Sequence, residues 1–150
     1  MIELGHPTDR RPPFRYAAYT RVAFSDTDAQ GVVYYGRYLP YFDLARTEYH
    51  RYLGSVGADR TEFVMRASHV EYDAPARFDD LLEVFVRISA IGRTSVTYEY
   101  AAYRLDGDDA DSLMVRATQV LVLIDHDSRT TIPIPDRFRE AVDAFEQRSA

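Results

Sequence analysis

The chain contains no cysteine, no lysine and no tryptophan. Without cysteine there is no disulfide, no thiolate nucleophile and no Cys-ligated zinc. Without lysine there is neither a Schiff-base amine nor a P-loop ammonium, and all 18 basic residues are arginine. Against them stand 24 acids, for a formal net charge of -6. Neither half of the chain is basic, which argues against a nucleic-acid partner. No run approaches ~18 consecutive apolar residues, so membrane insertion by a helix is excluded. Residues 1–13 lack the apolar stretch of a signal peptide, and the expected location is the cytoplasm.

What is present suits one folded domain. The 150 residues are 46% hydrophobic and 28% charged, close to globular averages. A chain of this length buries roughly 68–70% of its unfolded surface, enough for a core without staples. Residues 1–13 read as a loose lead-in, and residues 14–150 as the domain. Phe14, Tyr16, Ala18, Thr20, Val22 and Phe24 alternate with polar neighbours, as a strand requires. Tyr38, Phe42, Ala45, Tyr49 and Tyr52 then recur at helical spacing. That helix is expected to begin near Tyr35–Arg37, with Pro40 tolerated in its first turn, and to stop at Gly54. Strands follow over Glu62–Tyr72, Leu82–Ala90, Val96–Ala102 and Leu113–Ile124, with an acidic hairpin tip over 106–111. Ile134, Phe138, Val142 and Phe145 suggest a short closing helix. Short links between the later strands favour antiparallel pairing. The reading is an α+β domain, a curved sheet packed on one long helix.

The chemistry-bearing stretch is Asp26-Thr27-Asp28-Ala29-Gln30-Gly31-Val32-Val33-Tyr34-Tyr35, which leads directly into the helix. A helix start offers unpaired N–H donors and a partial positive charge. A carboxylate on the loop before it can face the same point. That pairing suits acyl transfer, with donors polarising a carbonyl while the carboxylate attacks it or deprotonates water. An EF-hand reading fails because the twelfth position is Arg37 rather than glutamate. A phosphoaspartate site is weakened by the missing lysine. A plain turn, with both aspartates bonding their own backbone, also fits these residues.

The segment from Phe24 to Leu53 resembles the 4-hydroxybenzoyl-CoA thioesterase family of hotdog-fold proteins, in particular its Tol–Pal-associated acyl-CoA thioesterases. The resemblance rests on the Asp26–Tyr34 run, on Ala45-Arg46-Thr47-Glu48, on Val70-Glu71-Tyr72-Asp73-Ala74-Pro75-Ala76-Arg77-Phe78-Asp79-Asp80-Leu81, and on Gly92-Arg93-Thr94-Ser95. It spans about residues 14–135. It implies a hotdog fold, a curved antiparallel sheet wrapped around one central helix. It also implies hydrolysis of acyl-CoA thioesters to an acid and coenzyme A. No cofactor is expected, and no metal either, because no pair among His6, His50, His69 and His126 has metal-ligand spacing with supporting carboxylates. Asp28 is then the nucleophile or general base, the Tyr35 backbone N–H polarises the thioester carbonyl, and Gly31 shapes the turn between them. Many members carry histidine where this chain has Tyr35, but a backbone donor survives that change.

Tyr38, Asp43, His69, Arg93, Thr94 and Ser95 are the candidate substrate-binding residues: Asp43 by the resemblance, His69 from its mid-strand place, and Arg93 because a guanidinium suits a coenzyme A phosphate at the strand junction. Asp43 reads equally as a solvated helix residue and Arg93 as a plain surface arginine, while for His69 a core or interface histidine is the better reading. His50 is expected on the helix surface and His6 in the lead-in. The implied assembly is a homodimer or homotetramer with the site between subunits. Two rivals stand beside the thioesterase. One is an acyl-thioester hydratase or dehydratase, which calls for a histidine that the Asp28 loop lacks. The other is a non-catalytic acyl-thioester-binding protein.

Overall fold

In the computed structural model, which describes residues 3–54, 61–107 and 110–147, each alternating stretch of the sequence is a strand. The elements are β1 (Gly5–Arg11), β2 (Phe14–Arg21), α1 (Tyr38–Leu53), β3 (Thr61–Tyr72), β4 (Leu81–Ile91), β5 (Ser95–Arg104), β6 (Leu113–Asp125) and α2 (Asp136–Glu146). Met1 and Ile2 of the expected lead-in, Asp108 and Asp109 of the hairpin tip, and residues 55–60 and 148–150 of the expected domain lie outside the described residues. The six strands form one antiparallel sheet in the order β1-β2-β4-β5-β6-β3. The helix connection between β2 and β3 carries β3 to the far edge of the sheet, beside β6.

α1 lies against the inner face of this sheet. Tyr38, Tyr41, Phe42, Ala45, Tyr49 and His50 are its buried residues. They meet Leu82, Val84, Val86 and Ile88 of β4 and Val96, Tyr98, Tyr100 and Ala102 of β5 in one core. Each fully buried Leu, Val, Ile or Phe side chain contributes roughly 1.5–3 kcal/mol. The helix ends at Gly54, whose φ of 81° is the left-handed geometry that glycine adopts without a Cβ penalty.

The loose lead-in is not what forms. Gly5–Arg11 is a strand paired with β2 at the edge of the sheet, and its arginine side chains reach over the outer face. The Arg11 guanidinium lies 3.6 Å from the Tyr103 ring centroid and 5.7 Å from that of Phe85. Arg10 pairs with Glu83, a carboxylate only 1% exposed, and His6 Nε2 stands 3.6 Å from its other oxygen. The polar, proline-bearing composition that reads as a lead-in is that of a guarded edge strand, where charge and proline discourage further pairing.

His50 likewise departs from expectation. It faces the sheet, with its Nε2 2.5 Å from the Tyr98 hydroxyl and its ring stacked on Phe138. Burial, assisted by the nearby Arg46 charge, pushes its pKa down to about 4. The buried stripe of α1 runs through Tyr41 and His50, while Tyr52, counted on the stripe from spacing alone, is half-exposed against Tyr16 and Phe145.

Candidate active site

Between β2 and α1 the chain makes two 3-10 turns, Phe24–Asp26 and Tyr35–Arg37, and the second runs straight into α1. The two aspartates of the motif have different surroundings. Asp26 is turned inward, with its side chain 16% exposed. Its Oδ2 accepts the Tyr41 hydroxyl at 2.8 Å and the Ala23 N–H at 2.9 Å, and Arg37 Nε lies 3.7 Å from Oδ1. The Tyr41 phenol is pushed up by burial and then by this carboxylate. Asp26 therefore ties the loop to the helix.

Asp28 sits on a tight turn. Its N–H donates to the Val32 carbonyl at 2.9 Å, and its carbonyl accepts the Gly31 N–H at 3.0 Å. Gly31 has a φ of 79°, a conformation that side-chain-bearing residues resist. Oδ1 accepts the Gln30 N–H at 2.8 Å. Among the described residues no cation pairs with this carboxylate. It lines a cleft of about 310 Å³ together with Val33, Tyr35 and Tyr38 and with Tyr72, Asp73, Ala74 and Pro75.

The start of the helix opens on the same cleft. The Val33 N–H donates to Ala76 O, that of Tyr34 to Asp26 O and that of Arg37 to Tyr34 O, at 2.8–2.9 Å. Among the described residues no acceptor engages the Tyr35 or Gly36 N–H. These are the orphan donors of a helix end, where the aligned peptides leave about half a positive charge. Tyr38 is buried, and its hydroxyl accepts the Ala76 N–H at 3.1 Å. Burial raises its pKa, which keeps it a neutral phenol. Asp73 is neutralised, because Arg116 donates to both its oxygens at 3.0 and 3.1 Å. Asp28 is thus the cleft's uncompensated carboxylate.

Of the residues singled out from sequence, the cleft gathers Asp28, Tyr35 and Tyr38, with Gly31 setting the turn beneath them. The others lie elsewhere. Asp43 is on the exposed side of α1 and accepts Arg46 at 2.7 Å. His69 is on the edge strand β3, its side chain 75% exposed and 3.6 Å from Glu71, rather than in the core. Arg93 and Thr94 form the β4–β5 turn with Ser95, and their carbonyls accept the Ile134 and Leu123 N–H groups. Tyr72, Asp73, Ala74 and Pro75 were not among the expected site residues. The signal for them was available, since all four fall inside the Val70–Leu81 stretch that carries the resemblance but reads locally as a strand end and a turn.

An antiparallel sheet packed on one long helix is the architecture of the hotdog thioesterases. The sequence profile of the Thioesterase-like superfamily matches residues 22–142, and the chain belongs to that family. It is similar to the acyl-CoA thioester hydrolase YbgC of Escherichia coli O6:H1, with 36% identity over 107 residues, 69% of this chain and 76% of that protein. It is also similar to the acyl-CoA thioesterase YbgC of Haemophilus influenzae, with 32% identity over 127 residues, 81% of this chain and 89% of that one. Among solved structures, the thioesterase-superfamily protein of Jannaschia sp. CCS1 superposes with a TM-score of 0.83 at 26% identity, covering 93% of this chain and 89% of that one.

Proposed function

We propose that the chain hydrolyses acyl-CoA thioesters to a carboxylic acid and coenzyme A at the Asp28 cleft. The observation that carries this reading is the division of labour between the two aspartates. Asp26 is consumed by structural bonds, whereas Asp28 lines one cleft with Tyr35, whose N–H no acceptor engages among the described residues. The thioester carbonyl oxygen accepts that N–H, which stabilises the negative charge growing on it in the transition state. Asp28 then adds to the carbonyl carbon and expels the thiolate, leaving a mixed anhydride for water to cleave. Alternatively, Asp28 takes a proton from a water that attacks directly. A thioester is reactive enough for a carboxylate to serve where an amide demands a stronger nucleophile. The names of the YbgC relatives support coenzyme A as the thiol carrier.

In this reading the protein works in the cytoplasm as a homodimer or homotetramer. In support, β3 is a long edge strand with one side unpaired among the described residues, and the cleft is open to solvent beside it. The Arg93–Ser95 turn, outside its own chain's cleft, would then serve the coenzyme from across a subunit boundary. Light scattering coupled to gel filtration checks the assembly, and a monomer would defeat this part of the reading.

Thiol release from a panel of aliphatic and aromatic acyl-CoAs, run beside Asp28→Asn, tests the activity. Hydrolysis predicts free thiol from the native chain and a loss of about 10²–10⁴-fold in the variant, the range for a lost acid–base or nucleophilic group. A hydratase would alter the acyl chain without freeing thiol, and a binding protein would do neither.

A further inference from the structure

Tyr72 touches the helix start from the opposite wall of the cleft. It is the last residue of β3, held in register opposite Val115 of β6, so the sheet fixes its backbone. Its hydroxyl donates to the Tyr35 carbonyl at 3.1 Å. Its ring meets those of Tyr35 and Tyr38 edge-on, at centroid distances of 6.5 and 5.6 Å. Tyr35 itself is 62% exposed, and the Arg37 N–H donates to the Tyr34 carbonyl across the 3-10 turn it opens. Packing on the Tyr35 side chain therefore does little to hold this turn.

The carbonyl that Tyr72 engages belongs to the peptide unit whose N–H is that of Gly36. A peptide that accepts at its oxygen is polarised and becomes a stronger donor at its nitrogen. It is also fixed against the rotation that would swing the neighbouring Tyr35 N–H off line. We propose that Tyr72 is a positioning residue, whose hydroxyl fixes the Tyr35–Gly36 peptide so that the first N–H groups of the helix stay aimed at the acyl carbonyl. The proposal rests on the reading of the Asp28 cleft as the thioester site.

The test compares Tyr72→Phe and Tyr72→Leu with the native chain in steady-state thiol release, using an acyl-CoA that the native chain hydrolyses. Tyr72→Phe keeps the ring and removes the hydroxyl at a half-exposed position, so its melting temperature should match the native value. A donor that matters as the oxyanion forms lowers kcat with little change in KM. The expected loss is about 5–20-fold, smaller than the 10²–10³ seen when an oxyanion donor is itself removed. Tyr72→Leu should show the same loss in kcat together with a raised KM, since the ring wall is gone. A Tyr72→Phe enzyme with native kcat, or one altered in KM alone, would overturn the proposal and leave the Asp28 reading intact. A native chain inert toward every ester in the panel would remove the Asp28 reading and this proposal with it.

Discussion

Replacing Asp26 by alanine and, separately, Asp28 by asparagine should pull stability and activity apart. Asp26 holds two charge-assisted hydrogen bonds, from the Tyr41 hydroxyl at 2.8 Å and the Ala23 N–H at 2.9 Å. Bonds to a charged group are worth about 1.5–3 kcal/mol each, and a buried donor left without a partner carries a penalty of similar size. The Tyr41 hydroxyl belongs to a buried residue, so it would bear that penalty, whereas the Ala23 N–H can turn to water. The lost Tyr41 bond and its stranded donor together come to about 3–6 kcal/mol for Asp26→Ala. At roughly 2–4 °C per kcal/mol for a chain of this size, the melting temperature falls by about 6–24 °C. Among the described residues the Asp28 side chain bonds only the exposed Gln30 N–H, so Asp28→Asn should stay within about 0.5 kcal/mol of native, as surface substitutions usually do. Denaturant titration of both variants, paired with thiol release, reads the two effects side by side. An Asp26→Ala protein as stable as the native one, or an Asp28→Asn protein that unfolds early, would refute the assignment of the structural role to Asp26 and the chemical role to Asp28.

Three further outcomes follow from the packing. His50 is held neutral in the fold, with its pKa pushed down to about 4 from an ordinary 6.5. The unfolded chain therefore binds the extra proton first, and stability should decline as pH falls from about 6.5 to about 4. At ~1.4 kcal/mol per tenfold change in proton activity, the total is up to roughly 3 kcal/mol. Urea titrations at pH 7 and pH 4.5 should show that decline reduced in His50→Leu, and an undiminished decline would assign it to other groups. Gly31→Ala places a Cβ at a φ of 79° with nothing within 4 Å to clash. It should weaken the turn by about 1 kcal/mol and lower kcat more than it lowers the melting temperature, whereas unchanged kcat would show that the turn tolerates the residue. Phe42 is fully buried against Tyr100, so Phe42→Ala should cost about 3–5 kcal/mol, and a calorimetric loss under 1 kcal/mol would show that the core collapses to fill the hole.

Legibility followed the range of the interactions involved. The period-two runs that became β2, β4, β5 and β6, and the stripe Tyr38–Phe42–Ala45–Tyr49 of α1, were plain because alternation and helical spacing are local properties of the chain. Gly54 at the helix end was plain for the same reason. The edge strand Gly5–Arg11 was not, because its residues are glycine, proline and polar or charged side chains, so no apolar alternation marks one of its faces. Its stabilising partners, Phe85, Tyr103 and Glu83, lie more than seventy residues away. His50 falls outside the stripe that spacing draws, and only the sheet packed on α1 decides that its side of the helix is buried as well. At the cleft, Asp28, Gly31 and Tyr35 stood out as loop and helix start. The Tyr72–Pro75 wall looked like an ordinary strand end.

By itself, then, the order of residues determined the element types from Phe14 onward, the chemistry on offer in the Asp26–Tyr35 loop, and the exclusion of thiolate and lysine-dependent mechanisms. All of these depend on side-chain identity and near-neighbour spacing. Only the folded chain decided which of two aspartates two residues apart is spent on structure and which faces the cleft. It also brought Tyr72, thirty-seven residues beyond Tyr35 in the chain, into hydrogen-bonding distance of the helix start. Such choices turn on where β3 and α1 meet in space, and that meeting is set by burial of the core rather than by any local pattern.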